Sequence, residues 1–133
     1  MSDLTGELID GRYQLIRHMA TGGMASIYEG LDTRLDRKVA VKIMHPHLAH
    51  DEIFVERFIR EAKAAASLSH PNIIAVQDQG WNQSGTPAVF IVMEMVEGHT
   101  LREYLHEQGA LSVKDGVKFL LPIMSALAAA HKI

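Results

Sequence analysis

Cysteine is absent from this chain of 133 residues, so disulfides, thiolate metal sites and a cysteine nucleophile are excluded. Basic residues are too few for a nucleic-acid surface, because 13 Lys and Arg stand against 16 Asp and Glu and leave a net charge of −3. With 10 Gly, 4 Pro and 47% hydrophobic residues, the composition also excludes a disordered tail and a low-complexity linker. The length fits one domain or part of a larger one.

Long apolar runs are missing as well. The charge-free stretch near the C-terminal end covers residues 119–130, is 12 residues long and contains Pro122, whereas a membrane helix needs about 20 residues. The N-terminus is acidic and does not have the pattern of a signal peptide. We therefore expect a soluble chain. The apolar end of the chain carries no cap and no polar tail, which indicates a truncation.

The first half of the chain alternates apolar and polar residues with a period of two, which predicts β-strands. Five strands are predicted, at residues 13–19, 26–32, 38–44, 73–79 and 88–93. A glycine-rich turn joins the first two, and the polar segment 82–87 joins the last two. Residues 51–69 change to a helical period, with Phe54, Phe58, Ala62 and Ala65 on one face. The fold class is therefore α+β.

Two more helices are predicted after Gly98. The first covers residues 100–108 and ends at Gly109, a suitable glycine for a helix C-terminus. The second begins at Ser112, which with Asp115 resembles a capping box.

A glycine-rich hairpin at residues 18–27 is the first candidate for chemistry. Its small residues allow a backbone to approach a ligand closely and to point N–H groups at phosphate. The alternative is a hairpin turn that is merely rich in glycine.

Lys42 and Glu61 are the next candidates. Lys42 shares one face of its strand with Ala40, while Val39, Val41 and Ile43 share the other. A buried lysine needs an anion, and Glu61, at the border of the helical apolar face, is the best partner in the sequence. The alternatives are a lysine that reaches solvent and a surface glutamate that pairs with Arg57 or Lys63.

The apolar strand that ends in Met93-Glu94 runs into a short connector before the next helix. Backbone groups of such a connector could bind the edge of a flat heterocycle, and the alternative is a plain strand end.

The order and spacing of these features form a joint pattern, with Glu61 19 residues after Lys42. The pattern resembles the N-terminal lobe of a protein kinase, most closely the bacterial eukaryotic-like Ser/Thr kinases of the PASTA-receptor group. The resemblance spans about residues 11–133 and is carried by GGMASIYEG at 22–30, VAVK at 39–42, FIREA at 58–62, LSHPNI at 68–73 and IVME at 91–94.

The resemblance implies an N-lobe with a five-stranded antiparallel sheet and one helix of the αC type, followed by two C-lobe helices. It implies ATP as the ligand. The loop over the nucleotide would comprise Met19, Ala20, Thr21, Gly22, Gly23, Met24, Ala25, Ser26 and Ile27. The family's three glycine positions hold Ala20, Gly22 and Ala25 here. Lys42 would contact the α- and β-phosphates, and Glu61 would hold Lys42 when the helix swings inward.

The adenine site is also implied by the resemblance. Ile27 and Ala40 would cover the ring, Met93 would be the gatekeeper, and the backbones of Glu94 and Val96 would bond the adenine edge. The H-R-D and D-F-G motifs do not occur in these residues, so the ligands of Mg²⁺ would lie outside this chain.

The resemblance therefore implies a cut kinase with an N-terminal extension at 1–10, an N-lobe and hinge at 11–97 and an incomplete C-lobe at 98–133. We expect an ATP-binding half that is inactive alone, whose parent phosphorylates Ser/Thr of proteins on the cytoplasmic side, in some relatives next to a single membrane span. The alternative is a non-catalytic, pseudokinase-like dimerisation or docking module. We also expect a homodimer or swapped oligomer, through the N-lobe or through exposed apolar residues of the last helix.

His45, His47 and His50 cluster after the third predicted strand. No cysteine or carboxylate set joins them, which favours a solvated loop over a zinc site.

Overall fold

The computed structural model describes residues 3–82 and 87–132. Most of the turn predicted at 82–87 lies outside the described residues. Within them, no helix combines the length and the hydropathy that are needed to cross a membrane.

The first part of the chain forms one antiparallel sheet. Its strands are β1 (Leu8–Ile9), β2 (Tyr13–Thr21), β3 (Ala25–Asp32), β4 (Arg37–Met44), β5 (Val76–Asn82) and β6 (Ala88–Glu94). Their order across the sheet is β1-β2-β3-β4-β6-β5. The α+β class is confirmed, and the central β3–β4 pair runs in an uninterrupted register from Ala25 opposite Met44 to Asp32 opposite Arg37.

The sheet has one strand more than the five expected. The short β1 pairs with β2 through a turn in which Asp10 and Gly11 both have positive φ, 54° and 64°, and the Arg12 amide donates to the Ile9 carbonyl at 3.0 Å. Such a turn suits a tight hairpin, for which Asp-Gly is a favoured pair. The fourth predicted strand, at 73–79, corresponds to β5 and begins at Val76 rather than at residue 73, because the Ile73 amide bonds the His70 carbonyl in a turn.

The two faces of the sheet bury different apolar clusters. One face packs Leu4, Ile9, Tyr13, Leu15, Tyr28, Val39, Val41, Ile43, Ala88, Phe90 and Val92 together. The other packs Ala25, Met44, Val89 and Ile91 against Val55, Phe58 and Ala62 of helix α1. Alternation along each strand assigns successive side chains to opposite faces, so the sheet has a helix-covered face and a face closed by the N-terminal segment.

Helix α1 (Glu52–Ala66) covers one face of the sheet because one side of it is apolar. Asp51 caps it by accepting a hydrogen bond from the Ile53 amide at 3.0 Å, and Ser67 ends it. The predicted range 51–69 is therefore too long by one residue at its start and by three at its end, and Val55 takes the buried place that was expected for Phe54.

The chain divides into two units, of which the first comprises 1–67 and 75–95 and the second 68–74 and 96–133. In the second unit, α2 (Leu101–Gln108) begins with a full capping box between Thr100 and Glu103. Helix α3 (Val113–His131) begins at Ser112, whose hydroxyl accepts from the Asp115 amide at 3.2 Å. The His70 ring in this unit accepts from the Asn72 amide, so its other nitrogen donates to the Ser125 hydroxyl at 2.9 Å.

A buried carboxylate closes the turn between β3 and β4. Asp32 is 1% exposed and receives two bonds from the Arg12 guanidinium, at 2.9 and 2.8 Å. It also accepts from the amides of Arg34 and Leu35. The Arg12 hydrogen bonds, followed by these amides, lower the pKa of Asp32 to about 2. Because the pKa is lower in the folded state, this carboxylate stabilises the fold above its ordinary value of 3.8, and that contribution is lost as the pH falls towards 2.

We therefore predict that Asp32→Asn lowers the free energy of unfolding at neutral pH and that its deficit against the wild type shrinks between about pH 5 and about pH 2. Urea unfolding followed by the fluorescence of the single Trp measures this. Asp36→Asn, at an exposed carboxylate of the same turn, is the control and should show no such convergence. A deficit that stays constant with pH contradicts the assignment.

Gly30 is the point of closest approach between strands. A Cβ there would lie 2.9 Å from Cγ2 of Val41 and 3.3 Å from the Gln14 carbonyl oxygen. We predict that Gly30→Ala destabilises the fold by about 1–3 kcal/mol through overpacking. The control is Gly23→Ala, since a Cβ at Gly23 meets nothing within 4 Å. Equal unfolding free energies for the two variants would refute the steric argument.

Candidate functional site

The glycine-rich hairpin is the connection between β2 and β3. It is closed by the Gly22 amide, which donates to the Ala25 carbonyl at 2.8 Å, and by the pairing of Thr21 with Ser26. Met19 to Gly23 are exposed, Met24 and Ile27 are half-buried, and Ala25 and Ser26 are buried. Neither Ala20 nor Ala25 has a positive φ. Alanine in place of the family's first and third glycines therefore strains nothing in this hairpin.

Polar side chains brace the hairpin from both sides. The His18 ring lies 2.7 Å from the Thr21 hydroxyl, which lies 3.4 Å from the Ser26 hydroxyl. On the other side, Nε2 of His45 lies 2.8 Å from the Gly22 carbonyl oxygen. His45 was not singled out from the sequence for this role, because a histidine directly after a strand gives no local signal of such a bond.

Lys42 lies on the helix-covered face of β4, opposite Ile27 of β3 and Ile91 of β6. Its Nζ is 5.8 Å from the centre of the Phe58 ring of α1, within the range of a cation–π contact. Val39, Val41 and Ile43 belong to the cluster on the opposite face. The predicted division of this strand between two faces is confirmed, and Lys42 faces the helix that carries Glu61.

Glu61 and Lys42 are not joined by an ion pair in the described part of the chain. Glu61 is exposed on α1, while its neighbour Ala62 and the preceding Phe58 are buried against the sheet. Lys42 is half-buried and meets the Phe58 ring instead of a carboxylate. The helix therefore presents its aromatic ring to the ammonium group and leaves the glutamate in solvent. The role of Glu61 stays a prediction.

The end of β6 places Met93 beside Ala40. The two are opposite each other in the β4–β6 register, and Met93 packs against the cluster beneath α1. Glu94 is fastened to the segment before β5 twice, since its amide donates to the Ala75 carbonyl at 3.0 Å and its carboxylate accepts from the Ala75 amide at 2.8 Å. This double contact was not expected from the sequence. Val96 is exposed and belongs to the second unit.

Metal ligands are not assembled among residues 3–82 and 87–132, which contain no group of three or more His, Asp or Glu side chains placed to hold an ion. His45 and His47 stack with ring centres 5.8 Å apart. His45 is buried rather than solvated, so the expectation of a solvated loop fails at this residue.

Comparison with known proteins places this geometry in a family. The model of the protein kinase domain matches residues 13–133. The chain is 45% identical to the Ser/Thr kinase PrkC of Bacillus subtilis over 129 residues, which cover 97% of the chain and 19% of PrkC. It is also 45% identical to PknL of Mycobacterium tuberculosis, covering 97% of the chain and 32% of PknL.

Solved structures agree with these relatives. The crystal structure of the M. tuberculosis PknI kinase domain superimposes with a TM-score of 0.78 at 26% identity and covers 98% of this chain and 51% of that one. Its C20A mutant gives a TM-score of 0.79 at 27% identity. The expected lobe architecture is confirmed. The chain spans about half of these solved domains and a third or less of the curated relatives named here.

Proposed function

Because this chain belongs to the protein kinase domain family, we propose that it is the ATP-binding half of a Ser/Thr protein kinase, which transfers the γ-phosphoryl group of ATP to Ser and Thr hydroxyls of proteins. One observation carries the proposal. The ammonium group of Lys42, on the strand paired with the glycine-rich hairpin, has no carboxylate partner in the described part of the chain. A half-buried cation without an anion favours the binding of a phosphate group.

In this proposal, Lys42 holds the α- and β-phosphates of ATP and the hairpin from Met19 to Ile27 covers them with its amides. Glu61 then takes the place of the Phe58 ring as the neighbour of Lys42, which requires α1 to move or turn. Such an approach would fix the direction of the ammonium group towards the nucleotide.

The proposal places the adenine ring against neighbouring residues of β3, β4 and the end of β6. Ala40 leaves room for the ring because its side chain is small, and Ile27 covers it from the neighbouring strand. Met93 closes the back of this site, and the Glu94 carbonyl with the Val96 backbone would bond the adenine edge. The double contact of Glu94 with Ala75 supports this assignment, because it anchors the residue whose carbonyl would face the adenine edge.

Mg²⁺ is not assigned to any described residue, since they form no group that fits the ion. The proposal places the Mg²⁺ ligands, the catalytic base and the protein-substrate platform outside these 133 residues, which contain neither an H-R-D nor a D-F-G sequence. This polypeptide alone should therefore bind ATP weakly and transfer no phosphoryl group. Because the proposed substrate is ATP, the proposal also places the chain on the cytoplasmic side of a membrane, whether or not the complete protein has a membrane-spanning segment.

We predict that Lys42→Met, in a kinase domain completed by its catalytic loop and metal-binding motif, lowers phosphoryl transfer by orders of magnitude, because the phosphates lose their positive partner. Steady-state transfer from labelled ATP to a Ser/Thr peptide or to the kinase itself measures this. Fluorescence titration with an ATP analogue, on the same variant, reports binding separately.

The control is Lys38→Met, which makes the same change at the exposed beginning of the same strand and should keep the activity within about twofold. Full activity of Lys42→Met would refute the role of Lys42. Loss of activity in both variants would indicate damage to the strand rather than loss of a phosphate contact.

A second candidate function, a non-catalytic dimerisation or docking module, is favoured by one observation. Helix α3 buries none of its residues, and four of its large apolar side chains are more than half exposed: Leu120 at 54%, Leu121 at 60%, Met124 at 61% and Leu127 at 51%. Exposed patches of this kind mark surfaces that associate. In a complete kinase domain, the rest of the C-lobe would cover them.

We predict that the 133-residue chain forms dimers or larger swapped oligomers through these residues, because burying them removes apolar surface from water. Sedimentation velocity over a range of concentrations measures the association. The double variant Leu121→Lys, Met124→Lys should shift the chain towards monomer, whereas Ile16→Lys, at an exposed apolar residue of β2, should not. A monomeric wild type at high concentration would contradict this prediction.

A further inference from the structure

His45 is a buried histidine at the end of β4, three residues after Lys42. Only 6% of its surface is exposed, although it begins a loop that contains two further histidines. Its backbone amide donates to the Met24 carbonyl at 2.9 Å, and its ring nitrogen Nε2 lies 2.8 Å from the Gly22 carbonyl oxygen. A single residue therefore contacts the glycine-rich hairpin on both sides of its tip.

The acceptor fixes the state of the ring. A carbonyl oxygen can only accept a hydrogen bond, so Nε2 of His45 must carry a proton and donate it to Gly22. The peptide unit is planar and trans, so the C=O of Gly22 and the N–H of Gly23 point in opposite directions. When His45 holds the Gly22 carbonyl, it therefore directs the Gly23 amide to the other side of the hairpin.

We propose that His45 is a positioning residue of the glycine-rich loop, which orients the Gly23 amide for an anionic ligand by holding the carbonyls of Gly22 and Met24. The identity of that ligand as an ATP phosphate rests on the proposed function, whereas the restraint on the loop does not. His45 directly follows β4, the strand that carries Lys42. The same strand therefore positions both the Lys42 ammonium group and, through His45, the Gly23 amide of the proposed phosphate site.

A purely structural role for His45 is the competing explanation. Gly22 is exposed, so its carbonyl would find water if the ring donor were removed, and no buried polar group would be left without a partner. Removal of the donor should therefore loosen the hairpin tip without unfolding the sheet. This difference separates the two explanations.

The first experiment is hydrogen exchange on the 133-residue chain, with His45→Leu, His45→Gln and His47→Leu compared with the wild type. In His45→Leu, the Gly22 amide, which donates to the Ala25 carbonyl across the hairpin, should exchange about three- to tenfold faster, in keeping with the loss of one hydrogen bond. The core amides of residues 90–92 should keep their protection. Gln carries a side-chain N–H donor at about the same reach, so His45→Gln should restore slow exchange.

The control His47→Leu removes the exposed ring that stacks on His45 but leaves both bonds to the hairpin, and it should exchange as the wild type does. The proposal is overturned if the Gly22 amide in His45→Leu exchanges no faster than in the wild type, if it and the core amides accelerate by the same factor, or if it exchanges as fast in His45→Gln as in His45→Leu.

The second experiment uses the complete kinase domain. His45→Leu should raise the KM for ATP about three- to tenfold with little change in kcat, and His45→Gln should return it to the wild-type value. Lys42→Met, measured beside them, tests the proposed function by itself. If Lys42→Met is inactive but the KM for ATP of His45→Leu is unchanged, only the role of His45 is refuted. If Lys42→Met is active, the assignment of the nucleotide site is refuted.

Discussion

The register between β3 and β4 is the constraint on which the rest of the site depends. It sets Ile27 opposite Lys42 and Ala25 opposite Met44, so the glycine-rich hairpin and the lysine are separated by one ladder of hydrogen bonds. A slip by one residue would turn Lys42 into the cluster around Val41 and would bring a valine to the helix-covered face. The close approach of Gly30 to Val41 and the Asp32 turn at the far end act against such a slip. The stability of the sheet and the geometry of the candidate site therefore have the same origin.

How much of this could be predicted from the sequence differs from element to element. Strands β2, β3, β4 and β6 follow from period-two alternation, which is strong where one face of a strand meets a core. Strand β1 was missed because two residues give no period, although the Asp10-Gly11 pair after it was a hairpin signal that could have indicated it. The start of β5 was misplaced because its preceding residues are apolar but are held in a turn. The family of the chain was recognisable because its motifs follow one another in a fixed order and spacing. That order is specific even where each single motif is ambiguous.

The contacts that the sequence could not supply are those between distant residues. His45 contacts Gly22, 23 residues away in the sequence, and Glu94 contacts Ala75, 19 residues away. Neither a histidine nor a glutamate indicates by its type that it makes such a bond. Both contacts fix a backbone segment rather than a side chain, one at the hairpin and one at the end of β6. Sequence patterns report well which side chains are apolar or charged, but they report poorly which carbonyl is held by which donor.

The separation of Lys42 from Glu61 follows from the cost of burying charge. A glutamate brought beneath the sheet must lose its water, and its attraction to one lysine repays that loss only when the geometry is excellent. The Phe58 ring offers Lys42 a weaker contact at no such cost, and Phe58 and Ala62 keep the helix packed while Glu61 stays in solvent. In the proposed function, a bound polyphosphate would change this balance, because its negative charge would fix the ammonium group and further donors would surround it. The inward arrangement of α1 that the proposed function requires would therefore differ from the observed one by the small difference between a desolvation cost and an electrostatic gain, and a ligand or a neighbouring segment that supplies a few kcal/mol would select between them.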